Sequence, residues 1–172
     1  DNVQGILQAR MDRLGDEARR TLQVASCIGR VFSRRLLAAS LAAIEGVERD
    51  VDLDLERLQD GGLIEEQSGP PEREYAFRHI LVMDAARSSL LRQQRRTIHQ
   101  HLAHVLEEMF AGRLADRYAV LAHHCAEAGQ EEQALGYFLK AGDYARSNYA
   151  LEDALSLYEH ALEYLSQREE PG

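Results

Sequence analysis

The sequence predicts a mainly α-helical protein in two parts, a small helical domain that ends in a β-hairpin and an array of further helices. Apolar residues recur at helical spacing along most of the 172 residues, and glycines interrupt that spacing. The spacing changes to strand-like alternation only around residues 63–77. Because 45% of the residues are apolar and 28% are charged, the composition is that of a folded globular chain rather than a disordered one.

Four helices are predicted ahead of the hairpin, because apolar residues follow helical spacing between successive glycines. Asp16 and Ser33 are suitable N-caps for the second and third helices, since their side-chain oxygens can accept hydrogen bonds from free backbone N–H groups. The fourth helix is predicted over residues 47–60. The glycines that close the four helices are Gly15, Gly29, Gly46 and Gly61.

Residues 63–77 are predicted to form a β-hairpin around a Gly-Pro-Pro turn at residues 69–71. Three short helices followed by a hairpin is the element order of a winged helix, in which residues 47–60 take the position of the recognition helix. We therefore assign residues 16–92 to a winged-helix domain and residues 1–15 to a separate helix before it.

Residues 93–172 are predicted to be helical and to begin a repeat array. Small and aromatic residues alternate at matching steps in the last two helices, which allows helices to approach closely and to interlock. The two sets are Ala134, Leu135, Phe138 and Ala141, and then Ala154, Leu155, Tyr158 and Ala161. Such packing is typical of tetratricopeptide-type repeats, although their usual period is about 34 residues. We expect a tetratricopeptide-like array that is truncated in this chain.

Composition and charge argue against several functional classes. The net charge of −9 disfavours nonspecific attraction to nucleic acid or to anionic membranes. The one lysine, Lys140, follows a leucine, so the chain contains no Gly-Lys-Ser/Thr phosphate-binding loop. No stretch approaches the ~20 apolar residues of a transmembrane helix, and two cysteines cannot form a disulfide framework. We expect a cytoplasmic protein that does not contact a membrane.

Four stretches of the sequence together point to a known family. They are residues 3–14 (VQGILQARMDRL), 22–32 (LQVASCIGRVF), 62–64 (GLI) and 75–80 (YAFRHI). In this order they resemble the segment that follows the ATPase core in signal-transduction ATPases with numerous domains (STAND ATPases, of the AAA type). The resemblance is greatest to bacterial proteins whose ATPase is fused to a class III adenylate or guanylate cyclase or to a LuxR-type regulator.

The resemblance implies a part of a regulated nucleotide switch, in which a winged helix is followed by tetratricopeptide-like repeats. Residues 1–15 would trail from an upstream ATPase domain of the same protein. ATP or ADP with Mg²⁺ would bind in that domain, and this chain would itself hold no cofactor. The winged helix would act as a lid or lever on the ATPase, and the repeats would take a protein partner or inducer. The residues leave open whether the output domain is a cyclase or a transcription factor.

His79 is the nucleotide-sensing candidate that the resemblance implies, because a histidine of the family's winged helix reaches the bound nucleotide. It stands at the predicted start of the helix after the hairpin, where an imidazole N–H and the helix N-terminus would both favour a phosphate. Arg78 is a second candidate for a phosphate contact. The alternatives are that His79 caps or packs that helix and that Arg78 is solvated.

A DNA-binding winged-helix transcriptional regulator is the main alternative function. A recognition helix offers basic or amide side chains to bases and phosphates, so its charge is informative. Residues 45–60 contain seven acids but only the arginines Arg49 and Arg57, which leaves a charge of −5. We therefore expect no specific DNA binding and a solvated or partner-facing acidic surface. The acids are Glu45, Glu48, Asp50, Asp52, Asp54, Glu56 and Asp60.

The remaining clusters of functional residue types carry less information. Four arginines near the end of the winged helix form a basic cluster that is a candidate for docking a partner, with a solvated face as the alternative. Neither a nucleophile constellation nor a histidine motif typical of zinc is present in the sequence, so we expect no enzyme active site and no metal site. The four arginines are Arg87, Arg92, Arg95 and Arg96.

Overall fold

The computed structural model describes residues 2–169 of the chain, which are mainly α-helical, as predicted. The chain forms two compact units that divide between His101 and Leu102, within one long helix. Residue 1 and residues 170–172, which the first and last predicted segments include, lie outside the described residues. Among the described helices, none combines the length and the apolar character that a bilayer span requires.

The first unit combines short helices with a three-stranded antiparallel sheet, whose strand order is β1-β3-β2. Its elements in chain order are α1 (Asn2–Asp12), α2 (Asp16–Ile28), β1 (Val31–Ser33), α3 (Arg34–Glu45), α4 (Asp52–Asp60), β2 (Ile64–Ser68), β3 (Glu74–Phe77) and α5 (Ile80–Ser88). Helix α2 packs against α3, α4 and α5, and α1 packs against α5. This packing fixes the positions of the helices that carry the candidate site residues.

Strands β2 and β3 form the predicted hairpin, whereas β1 is an element that the sequence did not indicate. Strand β1 has three residues, too few for an alternation of apolar and polar residues to be recognised. It pairs with β3, with Phe32 opposite Tyr75. The buried Phe32 ring lies 5.9 Å from the Tyr75 ring and 5.7 Å from the Phe77 ring, so aromatic packing fixes this edge of the sheet.

Helix ends follow the predicted caps with one difference. The Ser33 hydroxyl accepts a hydrogen bond from the Leu36 N–H at 3.1 Å, and α3 ends at Gly46, whose φ of 72° lies in the left-handed region. The N-cap of α2 is Gly15 rather than Asp16. Asp16 is instead the first residue of the helix, where its carboxylate interacts favourably with the N-terminal end of the helix dipole.

Helix α4 begins at Asp52, so the predicted helical start at residue 47 is too early. The Asp50 carboxylate accepts a hydrogen bond from the Asp52 N–H at 2.9 Å, and Arg34 Nε donates to the Asp52 carboxylate at 2.5 Å. These side-chain contacts favour a turn before the helix. Val51 is buried ahead of α4, but Val47 is 61% exposed, so the apolar spacing that predicted the longer helix includes a residue outside the core.

The second unit starts within α6 (Arg92–Met109) and continues through a 3₁₀ turn (Leu114–Arg117) to three helices that pack in sequence order. These are α7 (Tyr118–Glu127), α8 (Glu131–Ser147) and α9 (Leu151–Glu169). Helix α8 packs against both α7 and α9. The predicted domain boundary at residue 93 lies at the start of α6, whereas the units divide further along that helix.

Gly142 of α8 and Tyr158 of α9 make a close approach between the two helices. A Cβ atom at Gly142 would lie 2.5 Å from Tyr158 Cε1, so only glycine leaves room for the ring. The Tyr158 hydroxyl donates to Asp143 Oδ1 at 2.5 Å, which holds the ring in place. Tyr158 belongs to the pattern of small and aromatic residues in the sequence, whereas Gly142 follows Ala141 and was not part of that pattern.

Candidate functional site

His79 occupies the N-cap position of α5 with an extended backbone. Its side chain is exposed and makes no capping hydrogen bond, while its carbonyl accepts from the Val82 N–H at 3.0 Å. The imidazole therefore neither caps the helix nor packs in the core, which were the structural alternatives to a sensing role. An exposed imidazole beside a helix N-terminus is able to donate a hydrogen bond to an anion that approaches from outside.

Arg78 precedes His79 and is half exposed. Its backbone N–H donates to the Leu63 carbonyl at 3.1 Å, which fixes the position of the main chain. Its Nε lies 3.6 Å from Glu65 Oε2, a long and solvent-screened ion pair. Since a guanidinium carries five N–H groups, this loose pair leaves donors of Arg78 available to an anion.

Arg78 also lines an open cleft of about 880 Å³ in the first unit, together with three further arginines. Arg10 lies on α1, Arg13 just after it, and Arg57 on α4. Among the described residues that line this cleft, Asp60 is the one acid, so four positive charges face one negative charge. We call the surface formed by Arg10, Arg13, Arg57 and Arg78 the arginine cleft.

The sequence did not connect Arg10 and Arg13 with Arg57 and Arg78, because the segments that carry them are far apart along the chain and none of them is a basic run. Packing brings them together through the turn at residues 61–62. Arg10 Nη1 donates to the Gly61 carbonyl at 3.4 Å, and a Cβ atom at Gly62 would lie 2.9 Å from the same nitrogen. Gly62 has a φ of 71°, which glycine adopts without strain. The Gly61-Gly62 pair was therefore the one feature of the sequence that indicated this turn.

Arg49 belongs to a partly buried polar network in the same unit. Its guanidinium donates to the carboxylate of Asp54, to Glu45 Oε2 at 3.0 Å and to the Thr21 hydroxyl at 2.9 Å. The Thr21 hydroxyl in turn donates to Asp54 at 2.7 Å. Asp54 is only 2% exposed, so its charge is compensated inside the protein rather than by water. Burial lowers the pKa of Arg49, but its hydrogen bonds to Asp54 and Glu45 outweigh burial and raise it.

Arg34 and Arg73 form a second, more exposed network with carboxylates. Arg34 pairs with Asp52 at 2.5 Å and with Asp50 at 3.5 Å, and Arg73 pairs with Glu66 at 3.1 Å and with Asp52 at 3.6 Å. The hydrogen bond from Arg34 is the main reason that the pKa of Asp52 is lowered.

These networks correct the expectation that residues 45–60 form one acidic surface. Arg34 and Arg73 lie outside the segment in which the charges were counted, so the count missed them. Four of the seven acids are held in ion pairs, namely Glu45, Asp50, Asp52 and Asp54. In the described part of the chain, the acids left without such a pair are Glu48, Glu56 and Asp60.

The predicted basic cluster divides into one anchored arginine and three on the surface. Arg87 Nη2 donates to the Ser26 carbonyl at 3.0 Å, and its Nε is buried, so Arg87 ties α5 to α2. Arg92 and Arg96 are exposed at the start of α6, and Arg95 is partly buried there. Within this cluster, Arg92 and Arg96 are therefore the arginines most accessible to a partner.

The second unit offers a groove and an apolar helix face. The groove, of about 450 Å³, is lined by small and polar residues of the 3₁₀ turn, α7, α8 and α9, and within it the Tyr144 hydroxyl donates to Asp116 at 2.6 Å. On α9, Leu151, Leu155 and Leu162 are each more than 60% exposed. Burial and the nearby Glu107 raise the pKa of the Cys125 thiol to about 11, which disfavours the thiolate form that a nucleophile requires.

Comparison with known proteins gives one informative similarity. The chain is 28% identical over 167 residues to an uncharacterized protein of Rhizobium meliloti (strain 1021). The match covers 97% of this chain but only 16% of that relative, so the chain spans about a sixth of the relative's length. No protein-family model and no solved structure matches the chain.

Proposed function

We propose that the chain is a non-catalytic regulatory and interaction module of a multidomain, ATP-dependent signalling protein. In this proposal the first unit is a winged helix that couples the nucleotide state of an upstream ATPase domain to an output domain. The second unit is a tetratricopeptide-like array whose groove and apolar α9 face take a protein partner or inducer. The element order α2-β1-α3-α4-β2-β3 and the strand order β1-β3-β2 support the winged helix, and the match to one sixth of a longer relative supports a multidomain context.

The observation that carries this proposal is the state of His79. It is exposed at the N-terminus of α5 and contributes neither a cap nor core packing, so its own unit gives it no structural task. In the family that the sequence resembles, a winged-helix histidine reaches the nucleotide of the ATPase domain. A contact made in only one nucleotide state contributes differential binding free energy, which is what a switch requires.

The test uses the longer protein that the proposal requires, with ADP dissociation measured on each variant and the melting temperature measured on the same variant without nucleotide. A hydrogen bond to a charged phosphate contributes roughly 1.5–3 kcal/mol. Replacement of His79 by alanine should therefore speed ADP dissociation about 10- to 100-fold and leave the melting temperature of the nucleotide-free protein unchanged. His79→Asn, which retains a side-chain N–H donor, should restore part of the ADP retention.

His104→Ala is the matched control, because His104 is an exposed histidine within α6 rather than at a helix N-terminus. It should leave ADP dissociation unchanged. An ADP off-rate that stays at the wild-type value in a well-folded His79→Ala protein would exclude the sensing role. An equal acceleration in His104→Ala would exclude it as well, since the effect would not belong to this position.

DNA binding is the second candidate function, because the ion pairs of Arg34 and Arg49 weaken the argument from acidic charge. The exposed residues of α4 are nevertheless Leu53, Glu56, Arg57 and Asp60, which is a net negative set. Fluorescence anisotropy with duplex DNA at about 150 mM salt should show no complex tighter than about 10⁻⁴ M. A submicromolar, sequence-dependent complex would make the chain a transcriptional regulator instead.

A further inference from the structure

The arginine cleft keeps positive charge that the rest of the unit does not neutralise. The guanidinium groups of Arg13 and Arg57 make no hydrogen bond or ion pair with any residue that the structure describes, and the side-chain contacts of Arg10 and Arg78 are long, at 3.4 and 3.6 Å. This contrasts with the carboxylate partners of Arg34, Arg49 and Arg73 in the same unit. The cleft is thus locally positive, although the chain as a whole carries a charge of −9.

The lining of the cleft defines the chemistry of a ligand. Guanidinium groups bind phosphate oxygens through planar, paired N–H donors. Within the described lining, Leu14 is the one large apolar residue and aromatic rings are absent, so there is no surface on which a nucleobase would stack. A volume of about 880 Å³ exceeds the size of a single phosphate group, and the four arginines come from three separate segments.

We propose that the arginine cleft binds a small molecule through a chain of two or more phosphate groups, either a free oligophosphate or the phosphate tail of a nucleotide. The phosphates contact Arg10, Arg13, Arg57 and Arg78, which all line the cleft. This site lies entirely within the first unit and needs no upstream domain. It is therefore independent of the proposed function, and its test uses the 172-residue chain alone.

The experiment is calorimetry of the 172-residue chain with inorganic phosphate, pyrophosphate, tripolyphosphate and ATP, without Mg²⁺ and at about 50 mM salt, where the Debye length is above 10 Å. We expect saturable binding that tightens from phosphate to tripolyphosphate and weakens as salt is raised. If tripolyphosphate binds more tightly than ATP, the ligand of the cleft is a free oligophosphate. If ATP binds more tightly, the ligand is the phosphate tail of a nucleotide. An absence of saturable binding of both tripolyphosphate and ATP would overturn the proposal.

Charge-neutral variants separate a built site from a general attraction to arginine. Arg13→Gln and Arg57→Gln should each weaken tripolyphosphate binding about tenfold, because each removes hydrogen bonds to a charged group. Arg92→Gln and Arg96→Gln, which change exposed arginines of α6, are the matched controls and should leave the affinity unchanged. An equal loss in the controls, or citrate binding as tightly as tripolyphosphate, would contradict a phosphate-specific cleft.

Discussion

Two groups of arginines in the first unit differ in what surrounds them. Arg34 and Arg49 lie against carboxylates, and Arg49 compensates an aspartate that is almost fully buried. Arg13 and Arg57 border an open cleft, and the described chain offers them no such partner. Removal of a paired arginine leaves a carboxylate without its counter-ion, whereas removal of an unpaired arginine leaves no group without a partner. We therefore expect stability to depend on the first group and anion binding on the second.

The largest expected effect is the loss of Arg49. Arg49→Met leaves Asp54 buried without its cation, and breaking such a pair costs about 3–5 kcal/mol of the free energy of unfolding. Urea denaturation of the purified chain measures this loss. The double variant Arg49→Met with Asp54→Leu should recover most of it, because it removes the stranded charge together with its partner. A loss below 1 kcal/mol in the single variant would show that water already solvates Asp54.

Two glycines of α8 in the second unit also differ in what surrounds them. A Cβ atom at Gly142 meets the Tyr158 ring, whereas a Cβ atom at Gly136 meets nothing within 4 Å. Gly142→Ala should therefore lower stability by about 1–3 kcal/mol, the usual cost of overpacking. Gly136→Ala should raise stability by about 0.5–1 kcal/mol through helix propensity. Thermal unfolding of both variants would contradict this assignment if the two shifts had the same sign.

Local signals in the sequence predicted much of this fold, because they act between neighbouring residues. The Ser33 cap, the left-handed Gly46 and the hairpin around residues 69–71 each depend on a few adjacent positions. Strand β1 was missed since its three residues become a strand only by pairing with a distant segment. The mainly helical class is confirmed, while the winged-helix and repeat assignments stay predictions.

For the candidate site residues too, local features of the sequence were recognised and contacts between distant segments were missed. His79 and Arg78 were found because they stand at a recognisable junction between the hairpin and α5. The arginine cleft was not found, since Arg10 and Arg57 are 47 positions apart and meet only through packing. The acidic segment was misjudged for the same reason, because Arg34 neutralises Asp52 from another helix.

The pair of Arg34 and Asp52 is exposed, so its expected effect is smaller than that of Arg49. Asp52→Asn should cost at most about 1 kcal/mol at neutral pH, as is usual for a solvent-screened pair. The folded pKa of Asp52 lies below its unfolded value of about 3.9, so the unfolded state binds more protons between the two values. The stabilisation is therefore present above pH ~3.9 and is lost as the pH falls through the folded pKa. Denaturation of wild type and Asp52→Asn should converge in that acidic range, and a constant difference would refute the assignment.

The smallest expected effect belongs to the arginine cleft. Arg57→Gln should change the free energy of unfolding by less than about 0.5 kcal/mol, because Arg57 is exposed and the described structure gives its guanidinium no hydrogen bond or ion pair to lose. If anything, stability should rise slightly at low salt, since the substitution removes repulsion from the neighbouring arginines, and this gain should fade as salt shortens the Debye length. Thermal unfolding at low and high salt measures both features, with Arg92→Gln on α6 as the reference. A loss above 1 kcal/mol would mean that Arg57 has a structural partner, and the distinction between paired and unpaired arginines would then not hold.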